Sequence, residues 1–355
     1  MLPLLLPPNP VQHFYRGGDR IAALRGFETI SDRQPEEWLG STLTRFGEGT
    51  VGLAVTESGA FLRDIIAADP GAWTGGPARD AADTGILVKL LDARQRLPVH
   101  VHPSREFAAA HLDCPYGKTE AWYVLDSVGD GAVYIGWRTA VDRDELDRRR
   151  DAQDSEWLLD HMNRVPVRPG TGVLCPAGTV HAIGEGVFVA EVQEPTDFSI
   201  LLEWSVTTST REDSHLDLGF DAVMPAVSVD ALSPEAIDAL TAVSDPATAP
   251  SQPASLLPAP ADPYFRILRA GATDGAGSAA GGTAATGAFP QSFAVVLATA
   301  GEGRIVSGNG SVPLRQGEAY AIPRAFGEWR VEGSASVIAF LPGEGWPGTL
   351  GSAIV

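Results

Sequence analysis

The sequence predicts an all-β protein with helical insertions, on three observations. Short apolar runs recur at near-regular intervals, at 86–93, 97–102, 120–127, 131–137, 171–177, 186–193 and 198–206. Runs of this length bounded by turn residues are strand signals, and their spacing points to a sandwich or barrel. The 355 residues include 39 Gly and 27 Pro, enough turn formers to join many short strands. Between and after these runs, two stretches, 142–165 and 233–243, read as helical insertions.

Taken in order, the opening MLPLLLPPNP is apolar but lacks a basic region and breaks at Pro7-Pro8, so it reads as a poor signal peptide. The stretch 142–165 is charged on one face and offers Leu146, Trp157, Leu158 and Met162 for packing, as one helix would. In 233–243, Ser233 is the expected N-cap and Glu235 stands in the first turn. Residues 244–263 are rich in Pro, Ala and Ser and read as a linker. Strands resume after it, interrupted by a Gly/Ala-rich stretch at 271–289 that is expected to be a mobile loop.

Charge and cysteine content narrow the function. The net charge of -19 argues against nucleic acid and anionic membranes as partners, because both need a basic surface. A small anionic substrate remains compatible, since a metal or a few lysines can set the local field. Cys114 and Cys175 are the only cysteines, too few for a disulfide framework, and a reducing cytoplasm is the expected location. No stretch is long and apolar enough to span a membrane.

Within the run LPVHVHPS, His100 and His102 are two residues apart and share one face of a strand. Two imidazoles aimed at one point suit a metal; the alternative is a hydrogen-bonded pair on a half-exposed strand. The strongest local pattern is GTGVLCPAGTVHAIGE, where Gly170, Pro176, Gly178 and His181 keep the spacing of the second cupin motif, while His100-Val101-His102 resembles the first. Cupins are small jelly-roll barrels. The resemblance implies that His100, His102 and His181 converge inside one barrel. Gly317, five residues and Pro323 repeat the frame, but Glu328 stands where His181 would be, and no histidine follows His215. The chain is therefore expected to hold two cupin (jelly-roll) barrels, the C-terminal one degenerate and without metal. The expected units are a metal-binding barrel over 1–205 with a helical insertion at 140–165, a helical segment and linker over 206–262, and the second barrel over 263–355.

Further segments narrow the likeness. His100-Val101-His102-Pro103, Gly117-Lys118-Thr119-Glu120 and Gly178-Thr179-Val180-His181-Ala182-Ile183-Gly184 resemble, in that order, segments of the class I mannose-6-phosphate isomerases. So do residues 14–27, 36–41, 87–93 and 191–199. The resemblance implies a divalent metal, usually zinc, on His102, Glu120 and His181, with His100 at the position of a family glutamine and able to serve as a fourth ligand. Glu106 also follows the second histidine, but its family counterpart is not a ligand, which favours Glu120. The same resemblance implies catalytic roles for Lys118 and Glu191, and substrate contacts for Lys89, Ser41 and Trp38. The implied partner is a small sugar or sugar phosphate, isomerised through an enediol while a metal stabilises the developing charge.

One position departs from the family. Counting from Asp197 places Leu201 where the family carries an essential arginine, and no Lys or Arg occurs between Arg168 and Arg211. Leucine cannot replace arginine in electrostatic work. The sequence thus leaves open a mannose 6-phosphate isomerase that draws its cation from elsewhere, a cupin enzyme of another class such as a dioxygenase or an isomerase of unphosphorylated sugar, or a catalytically weak sugar-binding relative.

Overall fold

The computed structural model describes residues 1–76, 80–271 and 285–346. Four antiparallel sheets stack in two pairs. The first pair joins a seven-stranded sheet, centred on Glu120–Ser127, Val187–Gln193 and Leu87–Asp92, to a five-stranded sheet. The latter runs in the order Ile200–Leu201, His100–Val101, His181–Ile183, Ala132–Trp137 and Met162–Pro166. Leu91, Trp122, Val124 and Val189 of the larger sheet meet Val133, Ile135 and Ile183 of the smaller. The second pair sets a six-stranded sheet, including Phe265–Gly271, Ala294–Ala300 and Ser336–Pro342, against a three-stranded sheet of Glu302–Ser307, Gly310–Arg315 and Trp329–Gly333.

Strand periodicity explains how the pairs join. Alternate residues of a strand face opposite sides. Along Leu87–Asp92, Lys89 and Leu91 point into the first barrel, while Val88 and Leu90 point away. Val88, Leu90, Tyr123, Ala190 and Val192 then share one core with Ile267, Val295, Leu297, Ile338 and Phe340 of the six-stranded sheet. The central strands are buried on both faces, which is why they read as near-continuous apolar runs. Leu4–Leu6, whose run the sequence assigns to the N-terminal unit, instead pairs with Ala319–Ala321 of the six-stranded sheet. Burial of Leu6 in the shared core rewards that crossing.

The stretch 142–165 is not one helix. It forms helices Arg143–Asp151 and Ser155–His161, then the strand Met162–Pro166 paired with Ala132–Trp137. Gln153 adopts a left-handed φ of 52° at the break, and the Asp154 carboxylate accepts from Trp157 N to start the second helix. Asn163 Nδ2 is shared among the carbonyls of Ile135, Gly136 and Trp137 on the neighbouring strand and that of Leu232, which draws the last turn into the sheet. Leu146, Leu158, Phe220, Val223 and Met224 cover the outer face of the five-stranded sheet. The Ser233 hydroxyl accepts from Ala236 N, capping Pro234–Ala239, and Thr241–Val243 continues as an edge strand. The Pro/Ala-rich segment is a packed strap, anchored by buried Leu256, Leu257 and Ala261 and paired at Ala254–Ser255 with Leu268 and Arg269. Most of the Gly/Ala-rich stretch, residues 272–284, lies outside the described residues.

Candidate metal centre and active-site cavity

His100 and His181 are direct register partners on adjacent strands of the five-stranded sheet, so their rings project to the same side. His102 follows two residues after His100, and Glu120 enters from the opposite, seven-stranded sheet. The three ring centroids are 4.0–4.9 Å apart. One ligand atom from each of the four residues lies within 4.8 Å of the others, and all four side chains are buried. Gly170 turns the chain into the strand Thr171–Cys175 and Gly178 then turns it towards the His181 strand, with φ of 94° and 84°. A Cβ on Gly170 would stand 2.1 Å from the Ser244 carbonyl, so only glycine fits.

The hydrogen bonds fix the form of each imidazole. Nδ1–H of His100 donates to the Pro98 carbonyl at 2.8 Å, that of His102 to Phe198 at 2.7 Å, and that of His181 to Thr179 at 2.8 Å. A carbonyl only accepts, so Nδ1 carries the proton and Nε2 is left with its lone pair, the form a metal requires. Burial holds the proton affinity of His100 well below its usual range and lowers the His102 pKa to about 3, aided by the nearby Lys118 cation. Both imidazoles are therefore neutral. Burial would raise Glu120, but the adjacent Lys118 cation is the largest opposing influence and holds it well below the usual carboxylate range. His181 Nε2 is buried, 3.2 Å from Glu120 Oε1 and without a hydrogen-bond partner, because a lone-pair nitrogen and a carboxylate oxygen both only accept. The Lys118 ammonium lies on the same atoms, 2.7 Å from Glu120 Oε2 and 2.6 Å from His102 Nε2, marking the point where positive charge is favoured. Three imidazoles and a carboxylate with an orphaned Nε2 fit a divalent ion of borderline softness such as zinc.

Beside this cluster is a small chamber of about 40 Å³, lined by His100, Lys118, Glu120, Glu191 and Lys89 among others. It opens through His13, Phe14, Asp197, Ser199 and Leu201 into a vestibule of about 570 Å³. Burial and the charge of Glu120 push the Glu191 pKa up to about 8, against the pull of Lys89 and Lys118. Lys89 Nζ is shared among Glu36 at 3.4 Å, Asp197 at 3.7 Å and Glu191 at 3.8 Å. Burial opposes its charge, but these carboxylates prevail and raise its pKa.

The expected substrate contacts divide. Lys89 lines the chamber, but Trp38 and Ser41 line neither cavity. The Trp38 indole is fully buried behind the wall, donating to Glu36 at 2.7 Å and lying under Lys89, whose Nζ is 4.8 Å from its ring centroid. The Ser41 hydroxyl is turned to the Leu43 backbone. Glu106 is exposed on the first turn of Arg105–His111, outside the ligand group. Sequence reasoning missed His13, Tyr15, Glu36 and Arg45. Of these, Glu36 had a signal, since it opens the matched 36–41 segment; Tyr15 donates its hydroxyl proton to it.

Known proteins resemble this chain in sequence and in fold. A family model described as the cupin domain of mannose-6-phosphate isomerase matches residues 282–342. Mannose-6-phosphate isomerase ManA of Bacillus subtilis is 29% identical over 253 residues, covering 71% of this chain and 73% of its own. In sequence and in fold the chain resembles the class I mannose-6-phosphate isomerases. The crystal structure of the mannose 6-phosphate isomerase from Bacillus subtilis superposes with a TM-score of 0.70 at 20% identity, covering 96% of this chain and 99% of its own. A mannose 6-phosphate isomerase crystallised with zinc and yttrium superposes with a TM-score of 0.67 at 14% identity, over 97% and 100% of the two chains. These structural likenesses carry the isomerase fold. The family model falls on the second barrel, whereas the histidine cluster lies in the first. Among the described residues no helix is long and apolar enough to cross a membrane.

Proposed function

We propose that the protein is a metal-dependent aldose–ketose isomerase interconverting mannose 6-phosphate and fructose 6-phosphate. The observation that carries this reading is a three-histidine, one-carboxylate cluster bordering, through His100 and Glu120, a buried chamber that also holds a separate carboxylate, Glu191, suited to proton exchange. Its resemblance to isomerases of this sugar phosphate names the substrate. A divalent ion on His100, His102, Glu120 and His181 would polarise the sugar oxygens and stabilise the enediolate charge.

The chain's own residues supply the rest. From aldose to ketose, the proton leaves C2 for Glu191 and returns at C1, while the hydroxyl proton passes from O2 to O1. A carboxyl with a pKa of about 8 suits such an exchange near neutrality. Lys118, beside Glu120 and His102, presents its ammonium to the oxygen that gains charge. Lys89 orients Glu191 and Asp197 and acts on the substrate through them. Trp38 supports Lys89 from behind and Ser41 holds its turn, so neither touches the sugar. Burial excludes the water that would wash out the transferred proton.

A coupled assay with added zinc, run on mannose 6-phosphate and unphosphorylated mannose side by side, tests this reading. Formation of fructose 6-phosphate with a strong preference for the phosphorylated sugar is expected. Equal turnover of both sugars, or of neither, would overturn it.

A further inference from the structure

An isomerase of a sugar phosphate must meet a dianion, and this chain offers few cations to do so. Lys118 is engaged by Glu120 and His102, and Lys89 by three carboxylates. The chamber beside the ligand cluster, about 40 Å³, holds little more than the reacting end of a six-carbon chain. With C1 and C2 there, the phosphate at the far end falls in the 570 Å³ vestibule. Among the described residues, Arg45 is the one Lys or Arg on that wall.

Arg45 is half-buried on a loop held in a defined shape. Its N–H donates to the Val51 carbonyl at 2.8 Å, and Glu48 N–H donates back to the Arg45 carbonyl at 2.9 Å. The loop is pinned to the chamber wall where Phe46 N–H donates to Asp197 Oδ2 at 3.1 Å, and where the Phe46 and Phe198 rings meet edge to face at 6.0 Å. The guanidinium donates to the Gln12 carbonyl at 3.1 Å, and no ion pair with a carboxylate holds it among the described residues. The remaining charges on the wall are Glu48, Asp197, Asp213 and Asp217. They repel a dianion, so attraction is confined to one point. The Asp213 carboxylate is tied back by the Thr210 N–H and hydroxyl at 3.0 and 2.8 Å.

We propose that Arg45 is the phosphate-binding residue of this protein, a specificity determinant set at the vestibule rather than at the strand position of Leu201. This rests on the isomerase reading above. A planar guanidinium with free N–H groups binds a phosphate through paired, charge-assisted bonds. Leu201, on the wall of both cavities, then provides an apolar flank between the reacting end and the phosphate.

Steady-state kinetics on wild type, Arg45→Ala and Arg45→Lys decide the matter. Arg45→Ala is expected to raise KM for mannose 6-phosphate by about tenfold to a hundredfold, with kcat within about threefold of wild type. Competitive inhibition by inorganic phosphate should weaken in parallel, and Arg45→Lys should recover part of both losses. A KM and a phosphate inhibition constant unchanged in Arg45→Ala, with wild type active, overturn the assignment and leave the isomerase reading intact. A drop in kcat alone, not rescued by lysine, assigns Arg45 to loop structure and also overturns it. If wild type does not convert mannose 6-phosphate, the isomerase reading fails and this assignment with it.

Discussion

The two barrels share a turn and differ in what fills them. Gly170 and Gly317 both take a left-handed φ, 94° and 83°, and at each a Cβ would stand within 2.2 Å of a backbone carbonyl. Beyond the first turn comes His181, facing three polar partners. Beyond the second, Glu328 is exposed and Trp329 turns inward, stacking on Phe289 with ring centroids 4.1 Å apart and planes 3° from parallel. Phe326, Ile305, Leu314 and Val331 close that interior. A jelly roll therefore needs only that its interior be filled. An apolar filling contributes stability directly, whereas the polar filling of the first barrel carries buried charges that must be paired. The first barrel's polar interior is tolerated because the neighbouring sheets bury so much apolar surface around it.

This contrast predicts opposite responses to substitution. The largest effect is expected at the proton-exchanging carboxyl of the first barrel. Glu191→Gln should lower kcat by about 10²- to 10⁴-fold, with metal content and melting temperature near wild type. Retention of more than about a tenth of wild-type turnover would remove Glu191 from proton transfer. Trp329→Ala in the second barrel should do the reverse. It should destabilise the fold by about 3–5 kcal/mol, as deletion of a buried aromatic does, measured by denaturant unfolding, while the folded fraction keeps its metal and its kcat. Loss of metal from folded Trp329→Ala protein would show that the interiors are coupled.

The sequence told most about the ligands and least about what surrounds them. His100, His102, Glu120 and His181 lie on short strands or at their ends, where period-two alternation and fixed glycine turns decide direction. Lys118 was legible for the same reason, two residues before Glu120 on an extended segment. For Trp38 and Ser41, motif membership does not say which side of a wall a residue occupies: Trp38 lies behind Glu36 and Lys89, and the Ser41 hydroxyl bonds the Leu43 backbone. His13, Glu36, Asp197 and Arg45 come from segments far apart in the chain, and only tertiary packing brings them to one cavity. The helical periodicity of 142–165 was real up to His161, after which pairing with Ala132–Trp137 overrode it.

A smaller effect separates the barrels by pH. His13 sits at the mouth of the first barrel, and burial lowers its pKa to about 4 despite the carboxylate of Glu36. An imidazole with a folded pKa below its unfolded 6.5 binds its proton more readily when unfolded. Its neutral form therefore supports the fold above about 6.5, and that support is lost as pH falls towards 4. Between these values His13→Gln should reduce proton uptake on unfolding by up to about one proton relative to wild type, read from the slope of unfolding free energy against pH. The second barrel contains no histidine and adds no imidazole to that slope. An identical slope in the variant would mean that His13 titrates normally.

The most direct test of the metal centre is elemental analysis of the purified, folded protein and of His181→Ala and Glu120→Ala. The account predicts one divalent ion per chain in the wild type and its loss from both variants, with isomerase activity lost alongside and circular dichroism preserved. Full metal occupancy in both folded variants would contradict it.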